Sequence, residues 1–194
     1  MSFFDESYRG IPPWDIGRPQ QEFVKLSDEG EVVGDVIDIG CGTGEHTIFF
    51  ASKGHQALGV DSAPRAIERA REKAKERGSK AEFKVADALK LGSLKRQFDS
   101  AIDCGLFHVF TDDERVAYAK SLAAVLRPRG RYFMLVFSDK EPAGWGGPRR
   151  ISKQEIVETF SDGWHINFVR PAKFESIFHE GGGEAWLAGI TKLP

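Results

Sequence analysis

From Asp35 onward the chain alternates short apolar runs with amphipathic stretches of helical period, a rhythm that predicts β-α units around a parallel sheet. VIDIG (Val36 to Gly40) reads as a buried strand, EHTIFFASK as a helix closed by Gly54, and ALGVD (Ala57 to Asp61) as the next strand. A second helix starts on Pro64, buries Ala66, Ile67, Ala70 and Ala74 on one stripe, and stops at Gly78. AEFKVAD (Ala81 to Asp87) and FDSAIDCG (Phe98 to Gly105) follow as strands, separated by a polar connection with room for a helical turn. Thr111 and Glu114 have capping-box spacing and begin a helix whose Val116, Ala119, Leu122, Ala123 and Leu126 share one face until Pro128. RYFMLVFSD (Arg131 to Asp139) predicts the fifth strand, and the Gly- and Pro-rich stretch from Glu141 to Arg150 predicts a loop. A second capping box at Ser152 and Glu155 opens a helix with Ile156, Val157 and Phe160 on its apolar side. The chain closes in WHINFVRPAKFESIF and EAWLAGITKL, two strands joined by a turn around Gly181 to Gly183.

Composition narrows the class. The 194 residues suit one domain with one substantial core, and 41% apolar with 29% charged residues is a globular balance. We read residues 1–30 as an N-terminal flap and helix, and 31–194 as the core. The 27 basic residues nearly cancel the 29 acidic ones, so no field is set up to grip a nucleic-acid backbone. No apolar run approaches a membrane span, and MSFFDESYRG lacks the charged flank and apolar stretch of a signal peptide. The expectation is a cytoplasmic protein acting on neither nucleic acid nor membrane. Its two cysteines, Cys41 and Cys104, have neither metal-ligand nor disulfide spacing.

The chemistry begins at IDIGCGTGEH. Gly40, Gly42 and Gly44 fall between a strand and a helix, where positive φ and a bare backbone let a ligand approach the free amides of the helix start. A dinucleotide loop would want a third glycine at position 45, which holds Glu45, an acid expected to repel a pyrophosphate. Asp61 ends the second strand, where a carboxylate can accept both hydroxyls of a ribose, and Asp87 ends the third, placed for an exocyclic adenine amine. Each acid alone reads equally well as a solvated strand end or a helix cap. Together with the loop they describe a slot for adenosine without phosphates.

DIGCGTG, GVD, VADAL, FDSAIDCG and LRPRGRYFML resemble the successive motifs of class I S-adenosylmethionine-dependent methyltransferases, over roughly residues 35–139. The resemblance implies a Rossmann-like α/β fold: a seven-stranded, mostly parallel sheet in the order 3-2-1-4-5-7-6, helices on both faces, and a last antiparallel strand. It implies S-adenosylmethionine as cofactor, held by Gly40, Cys41, Gly42 and Gly44, by Asp61 with Ser62, and by Asp87 with Ala88. Asp38 would orient the methionine amino group, and backbone around Cys104 would line the methionine end.

The acceptor side is set by what the loop after the fourth strand lacks. CGLFHVF (Cys104 to Phe110) is not the Asp/Asn-Pro-Pro-Tyr/Phe motif of enzymes that methylate exocyclic amines and glutamine amides, and no acid cluster suggests a catechol enzyme's magnesium. His108 is either a base for a phenol or thiol, or a polar residue packed beside Phe107 and Phe110. PPWDIGRPQ (Pro12 to Gln20), followed by an amphipathic helix, resembles the N-terminal region of a subgroup methylating small thiols, halides, thiopurines and phenolic or quinone-like compounds. There it folds over the cofactor, which makes Trp14 a candidate cover for the sulfonium; the alternative is a tryptophan that staples the N-terminus onto the core. Phe107, His108 and Trp145 are the candidate acceptor pocket. The function expected is methyl transfer to a small-molecule thiol, halide, phenol, hydroxyquinone or heterocyclic nitrogen, without a metal. The alternatives are a noncatalytic S-adenosylmethionine-binding module and a nucleotide-dependent oxidoreductase.

Overall fold

The computed structural model describes residues 3–142, 147–177 and 179–194. Its centre is a seven-stranded sheet in the order β3-β2-β1-β4-β5-β7-β6, with β1 (Val36–Ile39), β2 (Ala57–Asp61), β3 (Glu82–Val85), β4 (Phe98–Cys104), β5 (Leu126–Phe137), β6 (Trp164–Ser176) and β7 (His179–Lys192). The first five strands run parallel, and β7 lies antiparallel between β5 and β6. The order and strand senses are those that the motif series implies.

Alternation on β5 shows how the sheet is sandwiched. Tyr132, Met134 and Val136 turn to one face and pack with Tyr118, Leu122, Ile156 and Phe160, which belong to α5 (Asp112–Val125), α6 (Lys153–Thr159) and the residue capping α6. Phe133, Leu135 and Phe137 turn to the other face and meet Phe23 and Leu26 of α2 (Gln21–Asp28) and Phe50 of α3 (Glu45–Ser52). Burying each such side chain favours folding by about 1.5–3 kcal/mol before entropy is counted. The helix α4 (Pro64–Glu76) buries Ala66, Ile67, Ala70 and Ala74, the stripe read from its sequence. Both capping boxes form, Thr111 with Glu114 and Ser152 with Glu155. A short α1 (Phe3–Ser7) precedes them all and lies against α4, where Asp5 pairs with Arg65. Among the described residues no helix is long and apolar enough to cross a membrane.

Four local expectations are corrected. Val116 and Val157 are 52% and 49% exposed rather than part of their helices' buried faces; the face of α5 carries Arg115 and Tyr118 beside the expected Ala119 and Leu122, and that of α6 keeps the expected Ile156. β5 is entered directly from α5 at Leu126. The ladder then skips from the Phe98–Leu126 pair to the Ser100–Arg131 pair, with Arg129 at φ 64°. Gly181 to Gly183 are not the turn but the start of β7, because Gly183 opposes Phe174 and a Cβ there would lie 2.6 Å from the Phe137 ring. Finally, Glu45 turns toward α4. Its carboxylate is held by Lys73 of α4 at 2.6 Å and by Arg77, the residue capping α4, at 2.8 Å, and these cations keep it below the usual carboxylate range although burial opposes them. The charge expected to repel a pyrophosphate is thus offset by two cations.

Candidate active site

Parallel strands bring the loops after β1, β2, β3 and β4 to one edge of the sheet, and a cavity of about 900 Å³ opens there. Gly40 leaves β1 at φ 72°, its N–H donated to the Val60 carbonyl at 2.8 Å, and its bare backbone faces the cavity. Gly44 serves packing instead, since at φ 85° it caps α3, and a Cβ there would lie 2.6 Å from the Phe83 ring. Asp61 fastens the loops together. One oxygen accepts the Gly42 N–H at 3.0 Å and the other the Ala63 N–H at 2.9 Å, so the carboxylate stands fixed at the cavity wall with lone pairs remaining. Burial raises its pKa, against those backbone bonds.

Of the residues expected to hold the cofactor, Trp14, Gly40, Asp61 and Ser62 line this cavity, as do Asp87, Ala88 and Cys104. Asp87 also serves as the cap considered for it: its Oδ1 accepts the Leu89 N–H at 2.9 Å, starting the 3-10 turn Ala88–Leu94. Asp38, Cys41, Gly42 and Gly44 do not line the cavity but stand behind it. Asp38 is 1% exposed; its Oδ2 accepts from Thr47 Oγ1 at 2.7 Å while Oδ1 has no hydrogen-bond partner. Desolvation pushes this carboxyl up to about 7. An unmatched buried carboxylate oxygen suits a cationic ligand group.

The loop after β4 is built on Asp103, a residue the motif reading passed over. Its Oδ1 accepts the N–H groups of Leu106 (2.8 Å) and Phe107 (3.3 Å), and its Oδ2 accepts the hydroxyls of Tyr118 (3.0 Å) and Tyr132 (2.9 Å). Burial still lifts its pKa to about 6. The loop so fixed sends Phe107 and His108 in opposite directions. Phe107 is fully buried beside Tyr118 and Phe160 and does not line the cavity, which corrects its place in the expected acceptor pocket. His108 does line the cavity, stacked on Phe137 with ring centres 5.4 Å apart and planes 11° apart. Its Nδ1 accepts the Phe137 N–H at 3.3 Å, and burial, with Arg115 and Arg150 nearby, drives its pKa down to about 3. A neutral imidazole with that lone pair engaged carries its proton on Nε2, so the geometry argues against the base expected of His108. Trp145 lies outside the described residues.

PPWDIGRPQ forms a strap across the cavity, tied at several places, among them the Gln20 N–H donated to His46 Nε2 at 3.0 Å. Asp15 Oδ2 accepts from Thr43 Oγ1 at 2.8 Å, joining the strap to the glycine loop. Ile177 N–H donates to the Pro13 carbonyl at 3.0 Å, and the Gln20 amide exchanges two hydrogen bonds with the Glu175 backbone at 2.7 and 2.9 Å. Arg18 adds a two-pronged pair to Glu175 at 2.8 and 3.0 Å, worth at most about 1 kcal/mol at so exposed a site. Trp14 donates Nε1–H to the Tyr8 hydroxyl at 3.0 Å and meets Phe4 and Tyr8 edge to face. Phe4 and Tyr8 also line the cavity, as do Phe137, Phe174, Ser176 and His179 at its far wall. None was singled out in the sequence. Only Phe137 and Phe174 carried a signal, their place in alternating strands.

A family model described as a methyltransferase domain matches residues 36–130. A 2-heptyl-1-hydroxyquinolin-4(1H)-one methyltransferase of Mycobacteroides abscessus is 36% identical over 197 residues, covering 95% of this chain and 87% of that protein. The chain belongs to the class I S-adenosylmethionine-dependent methyltransferases. Its cofactor is S-adenosylmethionine. A structure from a study of the conversion of a disulfide bond into a thioacetal group during echinomycin biosynthesis superposes on this methyltransferase with a TM-score of 0.88 and 35% identity, covering 98% of this chain and 91% of that one. A probable thiol methyltransferase of Arabidopsis thaliana is 28% identical over 148 residues, covering 75% of this chain and 65% of that protein.

Proposed function

We propose that this methyltransferase methylates the hydroxyl of a planar aromatic or heteroaromatic acceptor of the hydroxyquinolone kind. The observation that carries the reading is the far wall of the cavity. His108, Phe137 and Phe174 form a continuous aromatic surface, with Phe137 and Phe174 ring centres 4.6 Å apart and 30° from parallel. Such a surface recognises a flat ring by stacking. The 36% identity to a hydroxyquinolone methyltransferase supports the same acceptor class.

The cofactor supplies a methyl group already activated on a sulfonium. The chain has to hold it, align the acceptor and keep water out. Asp61 accepts the ribose hydroxyls with its remaining lone pairs, Ser62 borders the ribose, and Asp87 with Ala88 borders the adenine. Gly40 forms the floor, backed by Cys41, Gly42 and Gly44, and Cys104 lines the methionine end. Asp38, behind the cavity wall, orients the methionine ammonium through its unpartnered Oδ1, directly or through water, and that charge offsets the burial of a carboxylate. Trp14, its ring fixed by Tyr8, turns an electron-rich face over the sulfonium. His108 orients the acceptor as a neutral Nε2–H donor.

Likeness to a thiol methyltransferase favours a second acceptor, a thiolate. One panel separates the two: hydroxyquinolones, phenols, thiols and iodide, with S-adenosylhomocysteine release as readout. The proposed reading expects kcat/KM for flat hydroxyl acceptors to exceed that for thiols and iodide by at least about tenfold, equivalent to about 1.4 kcal/mol. Preference for a small thiol or iodide would overturn it.

A further inference from the structure

With the His108 Nδ1 engaged by the Phe137 N–H, a second imidazole at the same wall acquires meaning. His179 opens β7 and lines the cavity together with Phe137, Phe174 and Ser176. Its Nε2 lies 3.2 Å from Glu141 Oε1. Glu141 comes from the segment after β5 and is only 5% exposed. Its other oxygen accepts the Glu184 N–H at 2.5 Å, so a backbone amide of β7 fixes the carboxylate. A buried carboxylate anchored on one oxygen and facing an imidazole on the other is an arrangement that orients a base. When Glu141 accepts the hydrogen bond of the Nε2–H, the ring lone pair sits on Nδ1.

We propose that His179, oriented by Glu141, removes the hydroxyl proton of the acceptor during methyl transfer, an inference that rests on the aromatic-hydroxyl reading above. The proton passes from the acceptor oxygen to the His179 Nδ1. The same oxygen forms its bond to the methyl carbon as the carbon–sulfur bond breaks and its electron pair returns to sulfur. One positive charge enters on the sulfonium and one leaves on His179, so charge balances. The resulting imidazolium rests against the Glu141 carboxylate, and its side chain, 30% exposed, returns the proton to solvent. His179 is thus a catalytic residue and Glu141 a positioning residue.

The test compares two acceptors at one pH, a weakly acidic phenol and a nitrophenol already ionised in solution. His179→Gln should lower kcat/KM on the weakly acidic phenol about 100-fold, and on the ionised one by no more than about fivefold. Glu141→Gln should give the same split at about tenfold on the weakly acidic phenol. Calorimetry should find S-adenosylhomocysteine affinity unchanged in both variants, which separates a lost base from a lost fold. A readout without turnover uses 4-nitrophenol with S-adenosylhomocysteine, buffered below the probe's own pKa. Wild type should bind it as the visibly absorbing phenolate, and His179→Gln as the neutral phenol. Equal losses on both acceptors, no loss on either, or a neutral probe in wild type would overturn the inference. If wild type methylates no aromatic hydroxyl, the acceptor reading itself fails. If it does and His179→Gln leaves the ratio of the two acceptors unchanged, only the base assignment falls.

Discussion

The two halves of the cavity are made in different ways. The half beneath the glycine loop is built from residues that follow their strands at once: Gly40 after β1, Asp61 and Ser62 at the end of β2, Asp87 and Ala88 just past β3. A parallel sheet gathers such positions at one edge whatever the rest of the chain does. The other half is gathered from far apart, with His108 from the loop after β4 and Phe137, Phe174 and His179 from the last three strands, while Phe4, Tyr8 and Trp14 of the N-terminus lie at the border. Topology dictates the cofactor half, and tertiary packing dictates the acceptor half. The two should therefore be separable by mutation.

The largest effect is expected at Asp61. On the proposed function Asp61→Ala removes a charged acceptor of two ribose hydroxyls, at about 1.5–3 kcal/mol each, and should weaken S-adenosylhomocysteine binding at least about 100-fold by calorimetry. Phe137→Ala should act on the opposite half, raising the acceptor KM by about 10- to 30-fold through lost stacking and burial while leaving cofactor affinity within about twofold. If Phe137→Ala weakens the cofactor as strongly as the acceptor, the halves are not independent. Trp14→Ala probes their border. Losing one cation–π contact of about 0.5–2 kcal/mol should weaken the cofactor about three- to thirtyfold without lowering the melting temperature in proportion. Equal loss of stability with unchanged affinity would make Trp14 a staple only.

The smallest effect is a proton count. The Asp38 carboxyl of the unliganded fold is held up near 7, above its unfolded value of about 3.9. The fold therefore binds this proton more tightly than the open chain does. The resulting stabilisation is full below about 3.9 and is lost as pH rises through about 7. A ligand ammonium at Oδ1 reverses the preference, so binding S-adenosylhomocysteine at pH 6 should release up to about one proton, seen as calorimetric heats that vary with the buffer's ionisation enthalpy. Asp38→Asn should abolish the variation.

The same contrast explains what was legible in the sequence. The strand order, the glycine loop, both capping boxes and the acids of the cofactor edge are local patterns whose meaning survives without neighbours. Asp103 carried a faint signal, an acid inside an apolar strand just before a glycine, but its four hydrogen bonds depend on tyrosines from α5 and β5. Phe107 and His108 are adjacent and looked interchangeable, yet a 3-10 turn sends one to the core and the other to the cavity. Gly181 to Gly183 looked like a turn because glycine permits one; the Phe137 ring packed against Gly183 is visible only once β5 and β7 are paired. PPWDIGRPQ announced stiffness but not its anchors, since Thr43, Glu175 and Ile177 are distant in the chain.

If the wall of His108, Phe137 and Phe174 presents an aromatic hydroxyl to the cofactor's methyl group, the acceptor oxygen should carry the transferred carbon. The most direct measurement supplies wild type with S-adenosylmethionine carbon-13 labelled in its methyl group and an equimolar mixture of a hydroxyquinolone, a simple thiol and iodide, then locates the label by NMR. An oxygen-bound methyl resonance on the hydroxyquinolone is expected as the dominant product, strongly diminished by Phe137→Ala. Label arriving mainly on sulfur or iodine, or on the ring's oxygen with Phe137→Ala as active as wild type, would contradict it.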